Sequence, residues 1–179
     1  MSDQSKQPDA DLTPLRAVAQ VAAAGDGALL DRISLLVEQT RAVVAVQANA
    51  ALTLMNWHIG RMIDVEVLQG GRAGYDGEIV ASLEPQLTQR FGRGFDRSNL
   101  YRMVKFSQVF PDAETVASLG QKLSWTHIKA LLPVHSPEAR AFYIDQAITA
   151  RLSVRALRDW TVSAFKESRQ SCCEFVDLV

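Results

Sequence analysis

The chain has 179 residues, of which 47% are hydrophobic, and this length and composition suit one globular domain with tails. The formal net charge of −1 excludes a strong overall attraction to nucleic acid. The charge is nevertheless uneven, because residues 1–89 carry 6 Lys or Arg against 11 Asp or Glu, whereas residues 90–179 carry 13 against 9. A polyanion is therefore expected to bind in the C-terminal half.

Cysteine content and hydropathy narrow the cellular setting. Cys172 and Cys173 are the only cysteines, so no disulfide framework can form, which favours the reducing cytoplasm. No stretch of about 18 uninterrupted apolar residues occurs, and the N-terminus lacks the basic-then-apolar layout of a signal peptide. We expect a cytoplasmic protein with no membrane span.

The first half of the chain is organised around one long helix. Residues 1–14 are polar and contain proline, which predicts a disordered tail before a single helical domain over residues 15–170. Apolar residues then recur at spacings of three and four, which predicts a helix over about 28–68. Such a helix either kinks near Asn56 or Gly60 or packs against a second copy, so a homodimer through residues 28–68 is one expectation.

A glycine-rich segment, Gly70 to Gly77, follows this helix. It lacks the terminal Gly-Lys-Ser/Thr of a phosphate-binding loop, and no strand precedes it, so we interpret it as a connector. The next helix is predicted over 78–91, with Pro85 ending or kinking its first half.

The most informative feature is the corner that joins the 78–91 helix to a helix over 96–110. Gly92 and Gly94 suit positive-φ positions at a helix end. Asp96 is a good N-cap, and Asn99 stands where a polar side chain can reach back to the cap. Phe95 and Leu100 are placed for a hydrophobic staple. This layout is typical of a helix-turn-helix, a corner that also occurs in helical proteins that bind no nucleic acid.

The second helix of this corner has two unlike faces. At 100° per residue, Leu100, Met103 and Phe106 share an apolar side, whereas basic and hydroxyl side chains share the opposite side. Lysine and arginine contact phosphates and base edges, although a merely solvated amphipathic helix has the same pattern. The candidate nucleic-acid-binding residues are Arg93, Arg97, Ser98, Tyr101, Arg102 and Lys105.

The C-terminal third predicts further helices and a second candidate helix-turn-helix. A short helix over 112–119 precedes a helical bundle over 124–167, in which Ser124, Ser136 and Ser153 are expected caps, and residues 171–179 form a tail. The sequence Leu152 to Arg155 and the helix before it resemble the DNA-binding helices of the ParB group of partition proteins, although the same pattern suits an ordinary helical corner. The secondary binding candidates are Lys129, Arg151, Arg155 and Arg158.

No catalytic or metal-binding pattern accompanies these features. His58, His127 and His135 lie far apart in the sequence and have no histidine partner at i+4. No Asp or Glu is followed two residues later by Lys, as in the acidic-x-Lys element of metal-dependent nucleases. We therefore expect no catalytic residues, no metal and no cofactor in this chain.

Several ordered motifs over about two-thirds of the chain resemble the N-terminal domain of the YhcG-like family. Longer members of this bacterial family of unknown function continue into a nuclease-type domain of the PD-(D/E)XK class. The resemblance implies a mostly helical module that delivers a nuclease to nucleic acid. Its motifs are Trp57 to Ile63, Tyr75 with Gly77, Phe91 to Phe95 with Arg97, Asn99 and Leu100, Leu123 to His127, Phe142 with Tyr143, and Ser153 to Leu157.

Two departures from the family pattern limit which of the family's properties we expect in this chain. Leu152 stands where the family usually has tryptophan. The nuclease domain and its acidic-x-Lys element are also absent from this sequence, so we expect a non-enzymatic chain that a separate nuclease subunit could complement.

The sequence thus predicts an all-α, multi-helix domain with a long N-terminal helix and one or two helix-turn-helix-like corners. The leading hypothesis for its function is nucleic-acid binding, with DNA favoured. The alternative is a protein-interaction or oligomerisation module that acts through the long helix.

Overall fold

The computed structural model describes residues 28–70 and 75–162, together with Arg16. Every regular element within these residues is helical, so the predicted all-α fold is confirmed. The predicted tails and the centre of the glycine-rich connector, residues 71–74, lie outside the described residues. The helices are α1 (Leu29–Gly70), α2 (Tyr75–Phe91), a 3₁₀ turn (Arg93–Phe95), α3 (Arg97–Val109), α4 (Ala113–Lys122), α5 (Trp125–Leu131), α6 (Pro137–Thr149) and α7 (residues 154–162).

Two helices pass through residues that could have interrupted them. Helix α1 remains helical through Asn56 and Gly60, and α2 continues past Pro85 to Phe91, so the expectation that Pro85 could end this helix is wrong. Proline removes only one backbone hydrogen bond. Leu83 and Leu87, on either side of it, pack against the core and hold the helix together. None of the helices in the described ranges has the length and apolar character of a membrane span.

The chain divides into two compact units, Met1–Ala48 and Asn49–Val179. Most of the described part of the first unit is the beginning of α1, which exposes several large apolar side chains. Leu29 and Leu30 are each at least 70% exposed. The second unit contains the remainder of α1 and all the other helices, and the buried core lies there.

Three apolar clusters make up the core of the second unit. The first joins α1, α2 and α3 through Ile63, Val80, Leu100 and Met103. The second contains Trp57, Phe106, Val116, Ile128 and Leu132. The third contains Leu119, Leu123, Ala130, Leu131, Ala147 and Leu157. Trp125 packs against the first two clusters, so its indole links the α1–α2–α3 group to the C-terminal helices.

Glycine permits α3 to lie directly on α1. A Cβ atom at Gly60 would overlap the carbonyl oxygen of Met103, so only a residue without a side chain fits there. One turn earlier, the indole N–H of Trp57 donates to the carbonyl oxygen of Phe110, with an N···O distance of 2.6 Å. These contacts fix the middle and the C-terminal end of α3 against α1.

A polar residue of α1 has a comparable role at α4. The Nδ2 group of Asn49 donates to the carbonyl oxygens of Gly120, at 2.6 Å, and Leu123, at 2.9 Å. These carbonyls belong to the end of α4, where helical partners run out. Asn49 interrupts the apolar repeat of α1 in the sequence, and the structure explains this, since its amide caps a neighbouring helix.

The predicted N-caps are present. Asp96, Ser124, Ser136 and Ser153 each accept a hydrogen bond from the backbone N–H three residues later. Asp112 caps α4 in the same way. Hydrogen bonds from the hydroxyl and the N–H of the residue three positions on hold the pKa of the Asp112 carboxyl below its usual value.

Replacing Gly60 with alanine should destabilise the protein, because the added methyl group overlaps the Met103 carbonyl and forces α1 and α3 apart. We expect a loss of about 1–3 kcal/mol or more in the free energy of unfolding, measured by urea denaturation. Gly94→Ala is the matched control, since a Cβ atom there meets nothing within 4 Å. Equal stability of the two variants would contradict the close helix crossing.

Candidate nucleic-acid interface

The corner between α2 and α3 is built from one left-handed residue and one 3₁₀ turn. Gly92 has φ 90°, a conformation that favours glycine, and the 3₁₀ turn Arg93–Phe95 follows. Gly92 is the only positive-φ glycine in the described ranges, so the expectation of a positive φ at Gly94 is wrong. Gly94 lies inside the 3₁₀ turn, whose backbone uses negative φ.

Asn99 is the side chain that holds this corner in place. We expected its amide to reach back to the helix cap, but its Nδ2 instead donates to the carbonyl oxygen of Gly94 at 2.5 Å. Its Oδ1 accepts from the indole Nε1 of Trp125 at 3.1 Å. Asn99 is only 8% exposed, and it therefore connects the turn before α3 to α5 from within the core.

Helix α3 presents the two faces that the sequence predicts. Leu100, Met103 and Phe106 are buried, and Phe95 packs against the first cluster, which contains Leu100. The basic side chains of the opposite face are exposed. Within the described residues, none of them forms an ion pair with a carboxylate. The exposed members of the candidate set are Arg93, Arg97, Ser98, Arg102 and Lys105, whereas Tyr101 is half-buried.

Three helices bring basic side chains to one cavity, which we call the basic cleft. Arg102 and Lys105 come from α3, Lys129 from α5 and Arg158 from α7. The cavity has a volume of about 880 Å³ and lies wholly in the second unit. Among the described residues that line it there is no Asp or Glu, so its four cations face no carboxylate from that part of the chain. Tyr101, Leu132, Pro133, Val134, His135 and Tyr143 supply most of the remaining wall.

The basic cleft thus brings together part of each predicted set. Tyr101, Arg102 and Lys105 of the first corner line it, and so do Lys129 and Arg158 of the second corner. The other residues of the two sets stand outside it. Arg93, Arg97 and Ser98 lie at the turn and the start of α3, while Arg151 and Arg155 are exposed near the start of α7.

Arg97 remains linked to the cleft through an aromatic contact. Its guanidinium carbon lies 5.8 Å from the ring centroid of Tyr101, within the range of a cation–π interaction. Tyr101 also lines the cleft, so this one side chain contacts Arg97 at the corner and forms part of the cavity wall.

The second corner is held by a histidine. The Nε2 of His127 lies 3.1 Å from the carbonyl oxygen of Leu152, and its Nδ1 lies 2.7 Å from the hydroxyl oxygen of Ser124. A carbonyl can only accept, so Nε2 carries the proton and donates. His127 thus has a structural role, and it ties the start of α5 to the segment before α7.

Sequence reasoning missed Tyr143 and His135 as parts of the wall. Tyr143 lies on α6, and His135 lies in the segment between α5 and α6, so neither belongs to the basic helix face on which the sequence prediction rested. Arg140 fixes this segment, because its Nη2 donates to the carbonyl oxygen of Val134 at 2.5 Å. The Ser136 hydroxyl donates to the Glu138 carboxylate at 2.6 Å and lowers the pKa of that group.

The described residues contain no cluster of three or more His, Cys, Asp or Glu side chains that could hold a metal ion. Cys172 and Cys173 lie outside the described ranges.

These features define an all-α module in which a tight corner and a basic cleft share one face of α3. The chain belongs to the family of the DUF1016 N-terminal domain, whose sequence model matches residues 32–167. This confirms the expected relation to YhcG-like proteins.

A similar protein is the one named "Putative nuclease YhcG" of Escherichia coli (strain K12), which is 27% identical over 184 aligned residues. The alignment covers 86% of this chain and 49% of that protein, so the chain spans about half the length of its relative. No solved structure matches the chain.

Asn99→Ala should destabilise the corner, because it leaves the Trp125 indole N–H and the Gly94 carbonyl without their partner. We expect a loss of about 1–3 kcal/mol in the free energy of unfolding. Gln108→Ala serves as the control, since the bond from Gln108 to Asp64 is exposed and should matter by less than about 0.5 kcal/mol. Chemical denaturation of both variants checks this. Equal losses would rule out a special structural role for Asn99.

Proposed function

We propose that this chain is a nucleic-acid-binding module of a nuclease-associated protein, that its ligand is DNA, and that it acts in the cytoplasm. The observation that carries the proposal is the basic cleft, where four cations from three helices line one cavity and no described lining residue is a carboxylate. Cleavage is not assigned to this module. It would belong to a nuclease domain or to a separate subunit.

The charge distribution supports this proposal. The whole chain has a formal net charge of −1, so nonspecific attraction to a polyanion is weak. Four cations gathered around one cavity create a local positive potential that the net charge does not reveal. A concave, low-dielectric surface also strengthens such a potential. A phosphate chain is the biological polyanion whose repeating charges match several cations supplied by different helices.

The position of the corner beside the cleft adds a second support. Arg93, Arg97 and Ser98 are exposed at the start of α3, next to the residues of α3 that line the cleft. A strand whose phosphates occupy the cleft could continue along this helix end and gain further contacts from them.

The family relation is consistent with the proposal. The similar protein of Escherichia coli has a name that describes it as a nuclease. A nuclease must bring its substrate to its active site, and a separate binding module is one way to do so.

The proposal predicts that removing two cleft cations weakens DNA binding. The double variant Arg102→Ala/Lys105→Ala should bind labelled DNA at least about tenfold more weakly than the unmodified protein, because two charge-assisted contacts are lost. Its salt dependence should also flatten, with the slope of log K against log salt falling by about 0.9 for each lost phosphate contact. Fluorescence anisotropy at several salt concentrations measures both effects.

The control for this experiment removes the same charge elsewhere. The double variant Arg41→Ala/Lys122→Ala deletes two exposed cations, one in the first unit and one at the end of α4, neither of which lines the cleft. It should retain its affinity and its salt slope. If both double variants lose affinity equally, binding depends on overall charge and the cleft is not the site.

The exposed apolar side of α1 favours a second candidate function, self-association. Within the first unit, Leu29, Ile33, Leu36, Val37 and Val44 fall within about 100° of one another on the helix, and all but Leu36 are exposed. A contiguous apolar stripe on a helix is typical of a surface that packs against another helix. A homodimer through α1 would cover it.

This second candidate predicts a mass of twice 19.7 kDa in light scattering coupled to gel filtration. Ile33→Glu/Val37→Glu should then convert the dimer to a monomer, because two charges would have to enter an apolar interface. Arg41→Glu, on the same helix but off the stripe, should remain dimeric. If the unmodified protein remains monomeric at high micromolar concentration, this result would contradict self-association.

A further inference from the structure

The composition of the cleft wall favours one kind of nucleic acid over others. This inference rests on the proposed function. We propose that the basic cleft binds unpaired nucleotides of single-stranded DNA, with the bases against its apolar and aromatic wall and the phosphates against its cations.

The apolar part of the wall favours unpaired bases over a duplex. Leu132, Pro133 and Val134 line the cleft in succession, and Val162 adds a further apolar side chain. Contact with paired DNA would leave this wall facing the charged outer backbone, since the faces of paired bases are stacked on one another. Unpaired bases, by contrast, offer their faces to apolar and aromatic side chains.

Two tyrosines provide aromatic rings on which bases can stack. Tyr101, on α3, and Tyr143, on α6, both line the cleft and are both half-buried. Each is partly held by the core, Tyr101 beside the first cluster and Tyr143 against the third. An aromatic ring that the core holds in place loses little freedom when a base stacks on it, and such stacking tolerates any base.

The four basic side chains are placed to contact the phosphates of a strand. Arg102 and Lys105 lie about one turn apart on α3, while Lys129 and Arg158 approach from two other helices. Cations that follow a backbone and rings that receive its bases are the two components of single-strand binding sites. The cleft volume of about 880 Å³ lies within the range of cavities that enclose a drug-sized ligand, so it suits one or two nucleotides but cannot admit a duplex.

The test compares three fluorescein-labelled probes of one sequence by anisotropy with the full chain. The probes are a 20-nucleotide single DNA strand, the matching duplex, and the corresponding single RNA strand. We expect the DNA strand to bind at least tenfold more tightly than the duplex. The RNA strand has the same bases and phosphates, so it shows whether the sugar contributes.

Substitution of the rings tests the stacking directly. Tyr143→Leu should weaken single-strand binding by about tenfold, whereas Tyr143→Phe, which keeps the ring, should bind normally. Trp160→Leu is the matched control, because Trp160 is exposed on α7 but does not line the cleft. Tyr101→Leu is a second variant should Tyr143→Leu fail to fold, as judged by circular dichroism. A strand carrying 5-iodouracil should photo-crosslink to Tyr101 or Tyr143.

The outcomes separate this inference from the proposed function. Tighter binding of the DNA strand together with a loss in the tyrosine variants supports it. Equal or tighter binding of the duplex, preference for the RNA strand, or unchanged affinity in the folded tyrosine variants overturns it and leaves nucleic-acid binding standing. Failure of all three probes to bind at low salt overturns both. Binding of poly-glutamate instead would then identify the cleft as a site for acidic peptides.

Discussion

The close crossing of α3 over α1 at Gly60 is the constraint on which the rest of the structure depends. With no side chain at position 60, the backbone of Met103 lies directly against α1. The hydrogen bond from Trp57 to the Phe110 carbonyl fixes the end of α3 at the same helix. Since the apolar side of α3 is thereby committed to the core, its polar side must face outward. The orientation of Arg102 and Lys105 follows from how tightly the opposite side packs.

The same packing gives the cleft its composition. Trp125 contacts two core clusters and donates to Asn99, so α5 is placed in a defined position beside α3. His127 then ties α5 to the Leu152 carbonyl, just before α7 begins. These links bring Lys129 and Arg158 to the same cavity as the cations of α3. The polar groups that hold the helices together are therefore also the groups that gather the charges.

Much of this could be predicted from the sequence where the signal is local. The two faces of α3 follow from a period of 100° per residue, and the caps at Asp96, Ser124 and Ser136 follow from the chemistry of helix starts. The basic cleft could not be predicted, because positions 102, 129 and 158 meet only through tertiary packing. The place of Tyr143 in the wall could not be predicted for the same reason. Two details of the corner differ from the prediction, because Gly94 lies in a 3₁₀ turn instead of a second left-handed position, and the Asn99 amide donates to the Gly94 carbonyl instead of reaching the cap.

The most direct test of the central claim, that the basic cleft is where nucleic acid binds, is lysine footprinting by acetylation and mass spectrometry. Lys105 and Lys129 line the cleft, whereas Lys122 is exposed at the end of α4 and serves as the internal reference. With a saturating DNA strand, acetylation of Lys105 and Lys129 should fall severalfold while that of Lys122 stays constant. Unchanged acetylation of both cleft lysines under saturating DNA would contradict the account.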